Sequence, residues 1–118
     1  MSKGAGGLAA DGFGGSPTAV AQAVGFLKTL SHEGRLQILC LLLDRNLSVK
    51  ELSGSLQMAQ PTTSQLLMRL RSEGYVDARR QGKTVIYHLV RQDVMPVIKS
   101  LRDAFCAPEA ARPSPGRS

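Results

Sequence analysis

The sequence predicts a mainly α-helical fold with one β-hairpin, in the order ααααββα. Three features between residues 46 and 90 indicate it. A capping box, Ser48-x-x-Glu51, opens a helix; a further helix begins at Pro61 and ends before Gly74; and two short runs of β-branched and aromatic residues follow. This order is typical of a winged helix-turn-helix, in which one helix enters the major groove of DNA and the hairpin, or wing, lies beside it.

Two helices are predicted ahead of the capping box. Apolar residues at helical spacing indicate a first helix over about residues 17–30, with Ser16 as its candidate N-cap. A second helix ends near residues 44–46, and the helix opened by Ser48 extends to about Leu56. The apolar face of the second helix is predicted to consist of Leu36, Leu39, Cys40 and Leu43.

The fourth helix and the hairpin follow from spacing and turn chemistry. Strands are predicted over residues 75–80 and 83–89, joined by a short turn at Gln81-Gly82. Asp93 is the predicted N-cap of a last helix that extends to about Cys106. The inward stripe of the fourth helix is predicted to be Thr63, Leu67 and Leu70.

Composition places the folded domain, which carries the predicted winged helix-turn-helix, at residues 17–106. Residues 1–16 hold six glycines, and residues 107–118 hold three prolines and a glycine, which is typical of flexible tails. The 118-residue chain has a formal net charge of +6, and its basic residues concentrate between 69 and 91. Such a cluster favours a polyanionic partner, although many basic clusters are only solvated surface.

The sequence also indicates what the protein is not. No apolar run reaches the roughly 18–20 residues of a membrane span, and the N-terminus lacks a secretory signal. We therefore expect a cytoplasmic protein without a membrane partner, in which a permanent structural disulfide is not expected. Phosphate loops, cofactor fingerprints and catalytic groupings are missing, so neither an enzyme nor a bound cofactor is predicted.

The amino end of the fourth helix supplies the main candidates for reading DNA. This end enters the groove first, and its amide and hydroxyl side chains suit base edges and phosphates. Basic side chains around the hairpin tip suit phosphates or the minor groove. The predicted DNA-binding residues are Gln60, Thr62, Ser64, Gln65, Arg69, Arg79, Arg80 and Lys83. The contacts of Leu66 and Met68, which fall away from the inward stripe, are left open.

Four segments, residues 26–39, 48–52, 60–76 and 79–87, together resemble the ArsR/SmtB family of bacterial repressors. The resemblance covers about residues 20–92 in continuous order. It implies a homodimer formed by the first and last helices, which binds an imperfect palindrome in double-stranded DNA and blocks transcription until an inducer arrives. Dimer symmetry would then place the two reading helices about 34–36 Å, or a multiple of this distance, apart.

The chain departs from the metal-ligand patterns of that family. Where the pattern has Cys-Val-Cys in the third helix, this sequence has Ser48-Val49-Lys50, and its last helix contains no histidine. Neither serine nor lysine is a suitable ligand for a soft metal. No metal site of the family type is therefore predicted.

Cys40 in the second helix and Cys106 at the end of the last resemble the cysteine pair of a smaller branch. That branch is the sulfide-responsive, persulfide-sensing repressors of the SqrR and BigR type. The resemblance implies that reactive sulfur species join the two thiols through a bridge of sulfur atoms and so release the operator.

Three other interpretations stay open at this point. General oxidants, or a soft metal or arsenite held by the two thiols, are alternative inducers of the same repressor. A more remote alternative is a small basic RNA-binding protein. It is disfavoured because two Tyr, three Phe and no Trp leave few side chains for stacking on bases.

Overall fold

The computed structural model describes residues 12–106; the predicted tails lie outside this range except for residues 12–16. The first compact unit contains α1, and a second begins at Glu33. None of the described helices has the length and apolar character needed to cross a membrane. The elements are α1 (Pro17–Leu30), α2 (Glu33–Asp44), β1 (Leu47–Ser48), α3 (Val49–Leu56), α4 (Gln60–Ser72), β2 (Val76–Gln81), β3 (Thr84–Leu89) and α5 (Met95–Phe105).

The α1 helix begins as predicted. The backbone N–H of Ala19 donates to Ser16 Oγ at 3.1 Å, and Pro17 occupies the first turn, where a missing N–H has no cost. Phe26 and Leu30 are buried, whereas a stripe at helical spacing is exposed. This exposed apolar stripe consists of Val20, Val24 and Leu27.

In the second unit α2 packs against both α4 and α5. The buried face of α2 differs from the predicted one. Leu39 is fully buried, but its buried neighbours are Ile38 and Leu42, while Leu36, Cys40 and Leu43 are half-buried. Residues 38–43 are all apolar, so their periodicity does not indicate which face is turned inward.

Helices α3 and α4 form the predicted helix-turn-helix. Both hydrogen bonds of the capping box are present, from the Glu51 N–H to Ser48 Oγ (3.1 Å) and from the Ser48 N–H to Glu51 Oε1 (2.9 Å). The predicted inward stripe of α4 is confirmed, since Thr63, Leu67 and Leu70 are fully buried.

A buried pair of hydroxyl groups holds these two helices together. Ser53 donates to Thr63 Oγ1 at 3.0 Å, and Thr63 Oγ1 in turn donates to the carbonyl oxygen of Ala59 at 3.1 Å. Each hydroxyl therefore has a partner inside the core, where an unpaired polar group is costly.

We expect Thr63→Val to destabilise the protein by about 1–3 kcal/mol, because valine has the same shape but leaves the Ser53 hydroxyl without its acceptor. The measurement is urea unfolding at one fixed protein concentration. Thr62→Val is the matched control, since Thr62 is exposed on the same turn. Equal unfolding midpoints for the two variants would contradict a structural role for the buried pair.

The end of α4 directs the chain into the wing. Gly74 has φ +86°, its N–H donates to Arg71 O, and the Tyr75 N–H donates to Leu70 O, each at 3.0 Å. These two bonds form a Schellman motif, whose left-handed residue is most easily a glycine. The predicted end of the helix before Gly74 is confirmed.

The wing is part of a three-stranded antiparallel sheet in the order β1-β3-β2. Its register pairs Gln81 with Thr84, so the loop consists of Gly82 and Lys83, one residue later than predicted. Gly82 has φ +63°, which suits the first position of a two-residue hairpin loop. Strand β1 has only two residues, too few for a sequence pattern to reveal.

The last helix also differs at its start. The residue that precedes α5 is Val94, which provides no side-chain cap. The predicted N-cap, Asp93, instead pairs with Arg91 at 2.7 Å. Within α5, Ile98 is fully buried, whereas Val97 and Phe105 are exposed. The mainly α-helical winged helix-turn-helix that the sequence predicts is confirmed.

Candidate DNA-binding surface and thiol pair

The outward face of α4 carries most of the side chains predicted to read DNA. Gln60, Thr62, Gln65 and Arg69 are exposed and Ser64 is half-buried. Because α4 has 3.6 residues per turn and buries Thr63, Leu67 and Leu70, its exposed positions lie mainly on the opposite side of the helix. These side chains therefore form one polar surface along the helix.

Met68 is a member of this surface that the sequence analysis did not assign. Its side chain is 66% exposed, and it follows Gln65 by three residues, so the two lie on neighbouring turns of one face. Leu66 is half-buried at the side of the helix. The sequence did contain a signal for this position, because Met68 falls outside the inward stripe of α4. A large apolar side chain that is exposed on a polar helix face often has a role at that surface.

Two arginines at the end of α4 already form ion pairs with carboxylates. The Nε atom of Arg69 lies 2.7 Å from Glu73 Oε2, and that of Arg71 lies 3.0 Å from Asp77 Oδ1. A DNA phosphate would compete with these carboxylates for both arginines.

At the wing, Arg79, Arg80 and Lys83 are exposed, and none forms an ion pair with another residue in the range 12–106. Successive residues of a strand point to opposite faces. Arg79 and Arg80 therefore flank the wing on its two faces, and Lys83 lies at its tip.

Cys40 and Cys106 lie on α2 and at the end of α5, two helices that pack against each other. An ion pair joins these helices, from Arg102 Nη1 to Asp44 Oδ1 at 2.8 Å. Asp44 lies one turn after Cys40, and Arg102 lies one turn before Cys106, so the thiols lie on the same faces as the ion pair. Both cysteines are free, Cys40 half-buried and Cys106 exposed.

The surroundings of Cys40 favour its protonated form. Burial raises the pKa of the Cys40 thiol and the neighbouring Cys106 raises it further; Arg102 opposes this shift and Asp44 adds to it. A protonated, half-buried thiol is a poor nucleophile, so we expect Cys40 to react more slowly than a free, exposed cysteine at neutral pH.

We expect the alkylation rate of Cys40 in Cys106→Ser to reach its midpoint at a higher pH in the folded protein than in the urea-unfolded chain. Burial, the main cause of the raised pKa, remains in that variant. The folded state holds the thiol proton more tightly than the unfolded chain does. The protonated thiol therefore contributes to folding stability at neutral pH, and this contribution is lost as pH rises through the folded pKa. Iodoacetamide kinetics followed by peptide mass measure it, and coincident midpoints would exclude the shift.

Throughout residues 12–106, no group of three or more His, Cys, Asp or Glu side chains is arranged to hold a metal ion.

Comparison with known proteins shows that this chain is similar to bacterial transcriptional regulators. The profile described as "Bacterial regulatory protein, arsR family" matches residues 32–78. The chain is 45% identical over 86 residues to the transcriptional activator HlyU of Vibrio cholerae, covering 73% of this chain and 80% of that protein. It is also 45% identical over 83 residues to the biofilm growth-associated repressor of Agrobacterium fabrum, covering 70% and 71%.

Solved structures agree with the sequence relatives. The transcriptional repressor BigR from Xylella fastidiosa is 36% identical with a TM-score of 0.71, covering 77% of this chain and 93% of that one. A homodimeric winged helix-turn-helix DNA-binding domain from Mycobacterium bovis is 30% identical with a TM-score of 0.64, covering 72% and 79%. These relatives are named as transcriptional regulators or DNA-binding domains, which agrees with the prediction that this chain is a regulator and not an enzyme. The chain belongs to the arsR family of bacterial regulatory proteins.

Proposed function

We propose that this regulator is a homodimeric repressor that loses its affinity for an operator when persulfide or polysulfide reacts with Cys40 and Cys106. The observation that carries the proposal is the placement of the two thiols on packed helices, with each thiol one turn from a member of the Asp44–Arg102 ion pair that joins α2 to α5. Repression is supported by the names of two relatives, the biofilm growth-associated repressor and BigR, whereas HlyU is named an activator.

DNA is bound by α4 and the wing in this proposal. The exposed amides and hydroxyls of Gln60, Thr62, Ser64 and Gln65 contact base edges and phosphates. Met68 contacts thymine methyl groups, which suit an apolar side chain in the major groove. The positive charges of Arg69, Arg79, Arg80 and Lys83 neutralise phosphates, which provides affinity without sequence preference.

A second copy of the chain covers the exposed apolar side chains of α1 and α5. Val20, Val24 and Leu27 form a stripe on α1, and Val97 and Phe105 are exposed on α5. Exposed apolar patches on a protein surface commonly mark interfaces, and each of these helices carries exposed apolar side chains of its own. The relative from Mycobacterium bovis is described as homodimeric, which supports the same assembly here.

The chemistry begins at the exposed thiol. The Cys106 thiolate attacks the sulfane sulfur of a persulfide R–S–SH; the S–S bond breaks, R–SH leaves, and Cys106 becomes a persulfide. A second donor adds another sulfur in the same way and releases another R–SH. The Cys40 thiolate then attacks the sulfur atom bonded to Cys106 Sγ; the bond between that atom and the terminal sulfur breaks, HS⁻ leaves as H₂S, and a trisulfide with one inserted sulfur joins the two cysteines. The two cysteines are oxidised by two electrons, and sulfane sulfur is reduced.

Inserted sulfur atoms matter for geometry. A direct disulfide requires the two Cα atoms to lie within about 7 Å, and each added sulfur relaxes that limit. The bridge then fixes α2 against α5. Because α2 also packs against α4, a change in the α2–α5 geometry alters the positions of the two reading helices in the dimer.

The test uses reduced protein and an operator found by selection from random duplexes. Matched samples receive inorganic polysulfide or hydrogen peroxide, and we measure DNA affinity together with peptide masses. Release that coincides with a Cys40–Cys106 cross-link carrying extra sulfur, only after polysulfide, supports the proposal. A plain disulfide and release with peroxide would indicate a general oxidant sensor instead.

Two further arms test the alternatives. Titration with arsenite or a soft metal that releases DNA without oxidation would replace the sulfur mechanism by metal sensing. An RNA of the selected sequence is the competitor for the duplex. Preference for RNA over the duplex would contradict DNA-binding regulation.

A further inference from the structure

A groove of about 580 Å³ lies between the wing and the first turn of α3. Its lining includes Lys50 and Glu51 from α3 and Lys83, Thr84 and Val85 from the wing. All five residues are exposed. Neither the family resemblance nor the predicted reading surface assigns a role to Lys50.

Strand pairing creates this groove. Strand β1 pairs with β3 only at Leu47–Tyr87 and Ser48–Ile86, and then the chain turns into α3. The outer edge of β3 from Val85 towards the wing tip is therefore not covered by β1. The first turn of α3 lies beside this uncovered edge and forms the opposite wall.

The groove is basic, and its charges are available. Lys50 and Lys83 form no ion pair within the described part of the chain. The acidic group of the lining, Glu51, is held by the capping box, where its carboxylate accepts the Ser48 N–H at 2.9 Å. Ser48 Oγ in turn accepts a hydrogen bond from the Glu51 N–H, so this backbone amide already has a partner. An anion in the groove would therefore be held by the lysine ammonium groups and not by that capped amide.

We propose that this groove holds the sugar-phosphate backbone of DNA, with Lys50 and Lys83 each neutralising one phosphate. This inference rests on the proposed DNA-binding function. One wall is the wing, and the other wall, α3, is tied to α4 by the Ser53–Thr63 hydrogen bond. In this proposal, a duplex that contacts both α4 and the wing tip passes the mouth of the groove. Lysine suits phosphate as a compact charge without base preference.

The test is the salt dependence of duplex binding by Lys50→Gln in the full chain. Each neutralised phosphate contributes about −0.9 to the slope of log K against log salt concentration. We expect the slope to become shallower by about 0.9 for each protomer bound, with similar losses of affinity for operator and unrelated duplexes. Lys83→Gln is expected to give the same change.

Lys99→Gln is the control, because Lys99 lies on α5 outside the groove and pairs with Asp103 at 3.3 Å. A wild-type slope in Lys50→Gln, or a loss confined to the operator, would overturn the inference while leaving the proposed repressor intact. Wild-type protein that binds no duplex DNA in a salt-dependent way would overturn both. An unchanged thermal unfolding curve for Lys50→Gln establishes that the slope reports DNA contact.

Discussion

Cys106→Ser is expected to bind operator DNA like the wild-type protein and to be insensitive to polysulfide. Cys106 is exposed at the end of α5, and its side chain makes no described contact that holds the core together. Serine keeps its size, so the reduced fold and the reading surface of α4 remain. Without this thiol the cross-link to Cys40 cannot form, and α2 and α5 stay unlinked. Operator release after polysulfide treatment is therefore expected to fall from complete to none.

Cys40→Ser has the same expected end point by a different route. Here Cys106 still reacts, so peptide masses are expected to show added sulfur on Cys106 without release of DNA. In Cys106→Ser the remaining thiol is half-buried and its pKa is raised by burial, so Cys40 is expected to stay largely unmodified.

The two variants test two points separately. Loss of DNA release in both shows that both thiols are needed, and the peptide masses show which thiol reacts with polysulfide first. Fluorescence anisotropy of labelled operator and peptide masses are measured on the same samples. Release of operator from either single variant would exclude the two-thiol mechanism. Modification of Cys40 ahead of Cys106 in the wild-type protein would reverse the order of attack.

Local hydrogen bonding explains which parts of the fold were predictable. The capping box at Ser48, the Schellman motif at Gly74 and the buried stripe of α4 each depend on residues within a few positions of one another. Features of this kind can be recognised from a short stretch of sequence, because all the residues that form them lie within it. The start of α5 was predicted wrongly because Asp93 had two possible partners, the helix amides and Arg91, and the ion pair prevails.

The candidate sites also differ in whether they depend on residues that are close together in the sequence. Exposure of Gln65 and its neighbours follows from the period of α4, so the exposed face that is proposed to read DNA could be predicted before the structure. The Asp44–Arg102 contact joins residues 58 positions apart, and no local pattern encodes it. The groove beside Lys50 depends on the pairing of a two-residue strand, so it was equally hidden from the sequence.

Gln65→Ala is expected to weaken operator binding strongly while leaving binding to unrelated DNA nearly unchanged. A bidentate contact from glutamine to adenine contributes about 1–3 kcal/mol of discrimination, and a dimer makes the contact in both half-sites. The expected loss is therefore about 2–6 kcal/mol, or at least roughly thirtyfold in affinity. Gln37→Ala is the matched control, since Gln37 is exposed on α2, away from the outward face of α4.

Arg80→Gln distinguishes this reading of bases from attraction to phosphates. Arg80 is exposed on the wing, so its removal is expected to weaken operator and unrelated duplexes alike and to reduce the salt dependence by about one phosphate for each protomer. Gln65→Ala is expected to leave the salt dependence unchanged, because glutamine carries no charge. Anisotropy titrations of both variants at several salt concentrations measure the two effects. If Gln65→Ala lowered both affinities equally, Gln65 would not read bases, and specificity would have to come from other positions of α4.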